Sequence, residues 1–272
     1  MLTRSITGAI FIAVLIGAII VHPVLFFILF LIITFIGLQE FYSIASKAGF
    51  EVQKTTGTLA GLIVFILICS FSLFEVIEFK FLSLALFVPF SLFIVELYRK
   101  SKTPLANIAV SLMGIIYVAV PFALLSFLII NTETKFGGIF NSNILLGYFL
   151  IIWTNDTGAY LAGRSMGKRK LFERISPKKT WEGAAGGFIL ALAIAYVLSL
   201  FYTELSVRNW LIMAAILAIT GNLGDLTESM FKRQVGIKDS GNLLPGHGGI
   251  LDRFDAILIS APFVWIFLTL IN

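Results

Sequence analysis

The sequence predicts an all-α, polytopic integral membrane protein of about nine transmembrane helices with its N-terminus in the cytoplasm. Three observations carry this. Hydrophobic residues make up 58% of the 272 positions and charged residues only 13%, a balance that leaves no ordinary globular surface to face water. Apolar stretches of roughly 20 residues, the length that spans a bilayer core, recur at 5–21, 24–46, 57–74, 80–98, 105–130, 144–163, 183–203, 209–231 and 250–271. The lysines and arginines, finally, are gathered into alternate connections, as the positive-inside rule requires.

The first stretch follows Arg4 and has the charge-then-apolar form of a signal peptide. No small-x-small cleavage site precedes His22-Pro23, so it is read as the first helix. In the second and fourth stretches, Glu40 and Glu96 lie near cytoplasmic helix ends, where snorkelling or pairing with Lys47 and Arg99 is the expected role. Pro121 is expected to kink the fifth helix. These five helices, residues 1–130, are otherwise runs of Leu, Ile and Phe. They read as a scaffold that faces lipid or forms a dimer. No internal repeat is visible, so an inverted-repeat transporter is not supported.

Residues 131–272 differ, because two long polar connections, 164–182 and 232–249, interrupt their four apolar stretches. With the N-terminus inside, both face the cytoplasm, and sixteen of the twenty Lys and Arg residues lie on that side, against Lys80, Lys135 and Arg208 outside. The net charge of +5 is thus a topological signal. It does not point to nucleic acid, for which no aromatic basic patch exists. Cys69 is the only cysteine and excludes an intramolecular disulfide; His22 and His247 are too few for a histidine metal site.

The polar residues of this half share a depth. Asp156 lies eight residues before Arg164 and Asp225 seven before Lys232, which puts both about 10 Å inside the cytoplasmic boundary. Asp252 and Asp255 open the ninth helix at a similar level. Asn222, Asp225, Ser229 and Lys232 form one helical stripe, with Glu228 beside it, and Asp252 and Asp255 are spaced i, i+3. Ionisable groups at membrane depth mark a functional site by default, and a set of Asp oxygens suits Mg²⁺ carrying substrate phosphates. The alternative is a set of internal salt bridges with Lys232, Arg233 and Arg253.

Ser176 and Pro177 read as the N-cap and first residue of the seventh helix. Lys178 and Lys179 would then make its N-terminus an anion site. Lys168, Arg169 and Lys170 read as a basic loop against anionic head groups. In the other connection, Gly241, Gly246, Gly248 and Gly249 let backbone approach a ligand, and His247 could bind phosphate or shuttle a proton.

Taken together, Ser229-x-Phe231-Lys232-Arg233, then Lys238-Asp239-x-Gly241, then Leu244-Pro245-x-His247-Gly248-Gly249-Ile250-x-Asp252-Arg253-Phe254-Asp255 resembles the signature of the CDP-diacylglycerol synthase (phosphatidate cytidylyltransferase) family. Asn155-Asp156, Ser176-Pro177-Lys178-Lys179-Thr180-x-Glu182-Gly183 and Gly224-Asp225 are also similar to it, whereas the first 130 residues match only in character. The resemblance implies Mg²⁺-dependent transfer of a cytidylyl group from CTP to phosphatidate, releasing pyrophosphate. It implies metal at Asp225 and Asp252, to which Asp156 and Asp255 are added as candidates. Lys178, Lys179, Lys232 and Lys238 are then expected on the phosphates, with Ser176, Arg233, His247 and Arg253 as helpers. A homodimer in the plasma membrane is expected, with CTP entering from the cytoplasm and phosphatidate from the inner leaflet. A CTP-dependent lipid kinase remains an alternative, and an ion-coupled transporter a weaker one.

Overall fold

The computed structural model describes residues 2–74, 78–131, 140–241 and 248–271. Helices fall where the apolar stretches place them: α1 (Leu2–Val21), α2 (Pro23–Lys47), α3 (Lys54–Phe74), α4 (Lys80–Tyr98), α5 (Pro104–Leu128), α6 (Asn143–Met166), α7 (Trp181–Phe201), α8 (Val207–Gln234) and α9 (Leu251–Ile271). Among the described residues, α2, α3, α4, α5, α7, α8 and α9 are long and apolar enough to cross a bilayer. The apolar part of α1, Thr7–Val21, is shorter, and α6 carries Asp156 and Arg164. The architecture is that of an integral membrane protein built from helices. Two small antiparallel hairpins interrupt it: β1 (Ile130–Asn131) with β2 (Phe140–Asn141), and β3 (Lys170–Phe172) with β4 (Ser176–Thr180).

Local chemistry sets the boundaries. His22 Nδ1 accepts from Val24 N (3.2 Å) and Pro23 takes the first position of α2, where its missing N–H is no loss. Ser206 caps α8 through Asn209 N (3.3 Å). At the other end of α8, Gly236 adopts φ 69°, Ile237 N donates to Lys232 O (3.0 Å) and Gly236 N to Arg233 O (3.2 Å). This Schellman arrangement stops α8 just past Lys232 and Arg233 and turns the chain into the signature loop. Pro121 does sit in an irregular helix: Ile115–Ala119 widen into a π turn just before it, and Leu125–Leu128 tighten into 3₁₀. Such turns absorb a missing backbone donor. Between α7 and α8, partial burial raises the Glu204 carboxyl pKa. Hydrogen bonds from Asn141 (2.5 Å) and Asn143 (2.6 Å) outweigh that and hold it below the usual carboxylate range.

Packing divides into two groups that share one core. In the second half α6 lies along α7, and α8 lies against both α7 and α9. In the first half α2 and α5 flank α3. Four fully buried rings knit the halves together: Phe30 of α2 meets Phe122 of α5, Phe149 of α6 and Phe254 of α9 at centroid separations of 5.9, 6.5 and 6.0 Å. Phe231 packs edge-on to Phe41 and Tyr117. Both signature phenylalanines are therefore anchors on the scaffold half.

Glu96 behaves as expected, pairing with Arg99 at 2.8 Å, and it also accepts from Gln53, Ser101 and Asn107. Glu40 does not. It lies two helical turns from Lys47, is only 8% exposed, and points into the bundle toward the start of α9.

The approach of α8 to α9 is set by Gly224, where an added Cβ would stand 2.3 Å from the carbonyl oxygen of Asp255. Backbone on one side leaves no side chain to give way. Gly224→Ala is therefore expected to destabilise the protein by about 1–3 kcal/mol by forcing α8 and α9 apart, read as a lowered unfolding midpoint of the detergent-solubilised protein.

Candidate active site

Asp156, Lys179, Asp225, Lys232, Asp252 and Asp255, among the polar residues predicted from sequence, come together at the end of the bundle that carries the β3–β4 hairpin. They form two adjoining clusters. In the first, Lys179 Nζ of β4 reaches Asp225 Oδ2 of α8 at 2.7 Å, and Ser229 Oγ donates to Asp225 Oδ1 at 3.3 Å. Asp156 of α6 and Asp255 of α9 lie within electrostatic reach of both Asp225 and Lys179. Three helices thus turn one aspartate each toward a single ammonium. Asp255 also accepts from Ala256 N (2.7 Å), and Asn155 Nδ2 donates to Asp156 at 3.4 Å.

The second cluster centres on Lys232, whose side chain is 10% exposed. Its Nζ pairs with Asp252 Oδ1 at 2.6 Å and with Glu228 Oε2 one turn back on α8. Glu228 Oε1 is buried without a hydrogen-bond partner. The other oxygen of Asp252, Oδ2, accepts from Ser240 N (2.8 Å) and Gly249 N (2.7 Å), with Ser240 Oγ at 3.0 Å. The salt-bridge reading of the sequence is thus realised for Lys232, though by Glu228 and Asp252, with Arg233 and Arg253 elsewhere. Arg233 Nη1 donates to Ile237 O (2.9 Å) and braces the turn after α8, while Arg253 and Lys238 are exposed. Among the described residues no group of three or more Asp, Glu, His or Cys side chains is gathered closely enough to hold a metal ion. His247 lies outside the described residues.

One expectation is overturned by the geometry. Ser176 is not an N-cap and Pro177 does not open a helix: Ser176–Thr180 is a strand paired with Lys170–Phe172, and α7 begins at Trp181. The cap is Thr180, whose Oγ1 accepts from Gly183 N at 3.1 Å. Glu182, in the first turn, accepts from Lys168 N (3.0 Å) and Arg169 N (3.1 Å), tying the base of the hairpin to the helix. An extended segment serves better than a helical turn here, because side chains alternate along it. Lys178 faces out, and Lys179 faces in toward Asp225.

Beside the first cluster an apolar groove of about 390 Å³ runs between α7 and α8. Phe172, Trp181, Phe188, Leu223 and Leu226 line it, and Asn222, one turn before Asp225, is its polar contribution. A hydrophobic slot opening beside a layer of acids and lysines suits an amphiphile with an anionic head group.

The sequence model described as the Cytidylyltransferase family matches residues 2–271. The chain belongs to that family. Proteins named phosphatidate cytidylyltransferase resemble it along much of their length. The one from Bacillus subtilis is 35% identical over 260 residues, covering 90% of this chain and 94% of that protein. Those from Staphylococcus saprophyticus and Staphylococcus haemolyticus are 44% and 43% identical over 171 residues. The matched region of those two spans 62% of their own length.

Within the family frame, sequence reasoning missed Glu40, Ser240, Thr180 and Glu182 as parts of the site. Glu40 carried a readable signal: an acid in an apolar 25-residue helix with its only nearby lysine seven residues away cannot form an i, i+4 pair. Thr180 followed by an acid, Glu182, before an apolar stretch is a helix-start signal that the neighbouring Ser-Pro outcompeted.

Among the described residues Lys232 is the cation that pairs with Glu228 and Asp252. Removing one partner of a buried ion network leaves its charges unpaired. Lys232→Met is expected to destabilise by about 3–5 kcal/mol, and pairing it with Glu228→Gln to recover part of that loss; the thermal midpoints of single and double variants are the measurement.

Proposed function

We propose that the protein catalyses Mg²⁺-dependent transfer of the cytidylyl group of CTP to phosphatidate, giving CDP-diacylglycerol and pyrophosphate. In this reading it works as a homodimer in the plasma membrane, with nine spanning helices and the N-terminus, hairpin and signature loop on the cytoplasmic side. The observation that carries the reading is the pairing of inward lysines from two walls, Lys179 of the hairpin and Lys232 of α8, with the acid face of α8, next to an apolar groove. Family membership and the name shared by the relatives support the same choice.

The chemistry suits these residues. A phosphate monoester is largely dianionic at pH 7, so the phosphatidate oxygen needs no side-chain base. That oxygen bonds to the α-phosphorus of CTP, the bond from the α-phosphorus to the bridging oxygen breaks, and pyrophosphate leaves with the electron pair. The obstacle is repulsion between two polyanions, which placed cations relieve. Lys178 and Lys238, both exposed, meet the triphosphate first, and Lys179 and Lys232 neutralise phosphate charge deeper in the site. Ser176, on β4 beside them, Arg233 and Arg253 assist in binding, and His247 completes the loop side. The groove holds acyl chain, so that phosphatidate slides in from the inner leaflet while CTP arrives from water.

The donor set fits a hard divalent cation. Asp156, Asp225 and Asp255 offer only oxygen and, when all are ionised, outweigh the single Lys179 beside them. Asp252 is the fourth candidate, although protein donors already occupy both of its oxygens. Mg²⁺ held by a few carboxylates keeps positions for phosphate oxygens and water. Bound there, it would stabilise negative charge on the transferring phosphoryl oxygens.

The test is purified protein with phosphatidate and CTP labelled at either the α or the γ phosphorus. Label from the α position in the lipid, dependent on Mg²⁺ and removed by Asp225→Asn, is the expected result. Label from the γ position would mark a lipid kinase and overturn the reading.

Orientation has its own measurement. Cys69 is buried, so a cysteine placed at Lys168 supplies the reactive thiol in intact cells. Lys168→Cys is expected to resist a membrane-impermeant maleimide until the cells are lysed; labelling without lysis would reverse the topology.

A further inference from the structure

We propose that Glu40, on α2 of the scaffold half, is a positioning residue of the site: its carboxylate clamps the signature loop to the start of α9 and so orients Asp252 and Lys232. The proposal rests on the activity assigned above and adds a residue that no part of the signature contains.

The geometry is direct. Glu40 Oε1 accepts from Ile250 N (3.0 Å), and Oε2 accepts from Leu251 N (3.0 Å) and from Ser240 Oγ (2.8 Å). All three donors are neutral. A carboxylate 8% exposed is stabilised by such donors together with the positive end of the 21-residue α9, whose first turn it faces. The same Ser240 hydroxyl stands 3.0 Å from Asp252 Oδ2, and Ser240 N donates to that oxygen at 2.8 Å. Ser240 is therefore a bridge between the acid of α2 and the acid of α9, and Asp252 in turn holds Lys232. Across 200 residues of sequence, one side chain connects the scaffold to the phosphate-facing ammonium.

Two signature glycines take their reason from this clamp. A Cβ at Gly241 would press on Glu40 Oε1, and one at Gly249 would press first on Ser240 Oγ and then on both Glu40 oxygens. Backbone there does come close to an anion, and the anion is Glu40.

Three observations on purified, full-length protein test the clamp. Residues that hold a ligating or binding side chain in place commonly affect function by about 10–100-fold when removed, and Glu40→Gln is expected to lower kcat/KM for CTP in that range. The loss should include a raised KM, because a smaller folded fraction alone lowers apparent kcat and leaves KM where it was. Glu40→Asp keeps the charge one methylene short and should fall between Gln and wild type. Amide exchange at Ile250 and Leu251 should accelerate in Glu40→Gln relative to amides of α6 and α7. Should Glu40→Gln fail to fold, Ser240→Ala removes the bridging hydroxyl alone and is expected to shift KM in the same direction by less. Wild-type kinetics and wild-type exchange in the variant that folds would overturn the proposal. A wild-type protein that transfers no cytidylyl group sinks the assigned activity instead, and the exchange measurement still decides the clamp.

Discussion

Carboxylates gathered at one end of an apolar bundle must each find a cation or hydrogen-bond donors, and that requirement shapes everything around them. Asp225 meets Lys179, Glu228 and Asp252 share Lys232, and Glu40 takes two backbone N–H groups and a hydroxyl. Meeting the demand brings segments from both halves of the chain to one place. The hairpin must fold back over α8 to deliver Lys179, and the loop after α8 must return beneath α2 to deliver Ser240 and the start of α9.

Rigidity follows from the same contacts. Phe231 and Phe254, which alternate with the charged residues of the signature, are held by rings of α2 and α5. The signature residues at the end of α8 and the start of α9 are therefore held both by a ring in the core and by a charge in the polar layer. A division of the chain at residue 130 separates runs of different composition, but it does not separate two cores: Phe30, Phe122, Phe149 and Phe254 belong to a single cluster. The apolar scaffold is part of the site because Glu40 and these rings are what its far end rests on.

The charge balance of the first cluster bears on the chemistry. Asp156, Asp225 and Asp255 stand against one lysine, and with all three ionised their mutual repulsion is unfavourable unless a further cation enters. A site that binds metal together with phosphates is stabilised by both arriving: the metal neutralises the acids, and the phosphates engage the lysines.

The helical membrane-protein class, the helical stripe of Asn222, Asp225, Ser229 and Lys232, and the signature that carries the family were all legible in the sequence. Hydrophobic length and helical period are local properties, and a stretch of twenty residues contains all the information needed to read them. The tertiary structure alone decided which lysine of the Lys178-Lys179 pair turns inward, since that depends on β4 pairing with β3 in place of a helical turn. It also decided that Glu40 reaches α9 and does not snorkel toward Lys47, and that Gly241 and Gly249 are small because Glu40 is near. These are contacts between residues up to two hundred positions apart, and their energy comes from satisfying buried charge, a demand that sequence announces without saying which distant donor will meet it.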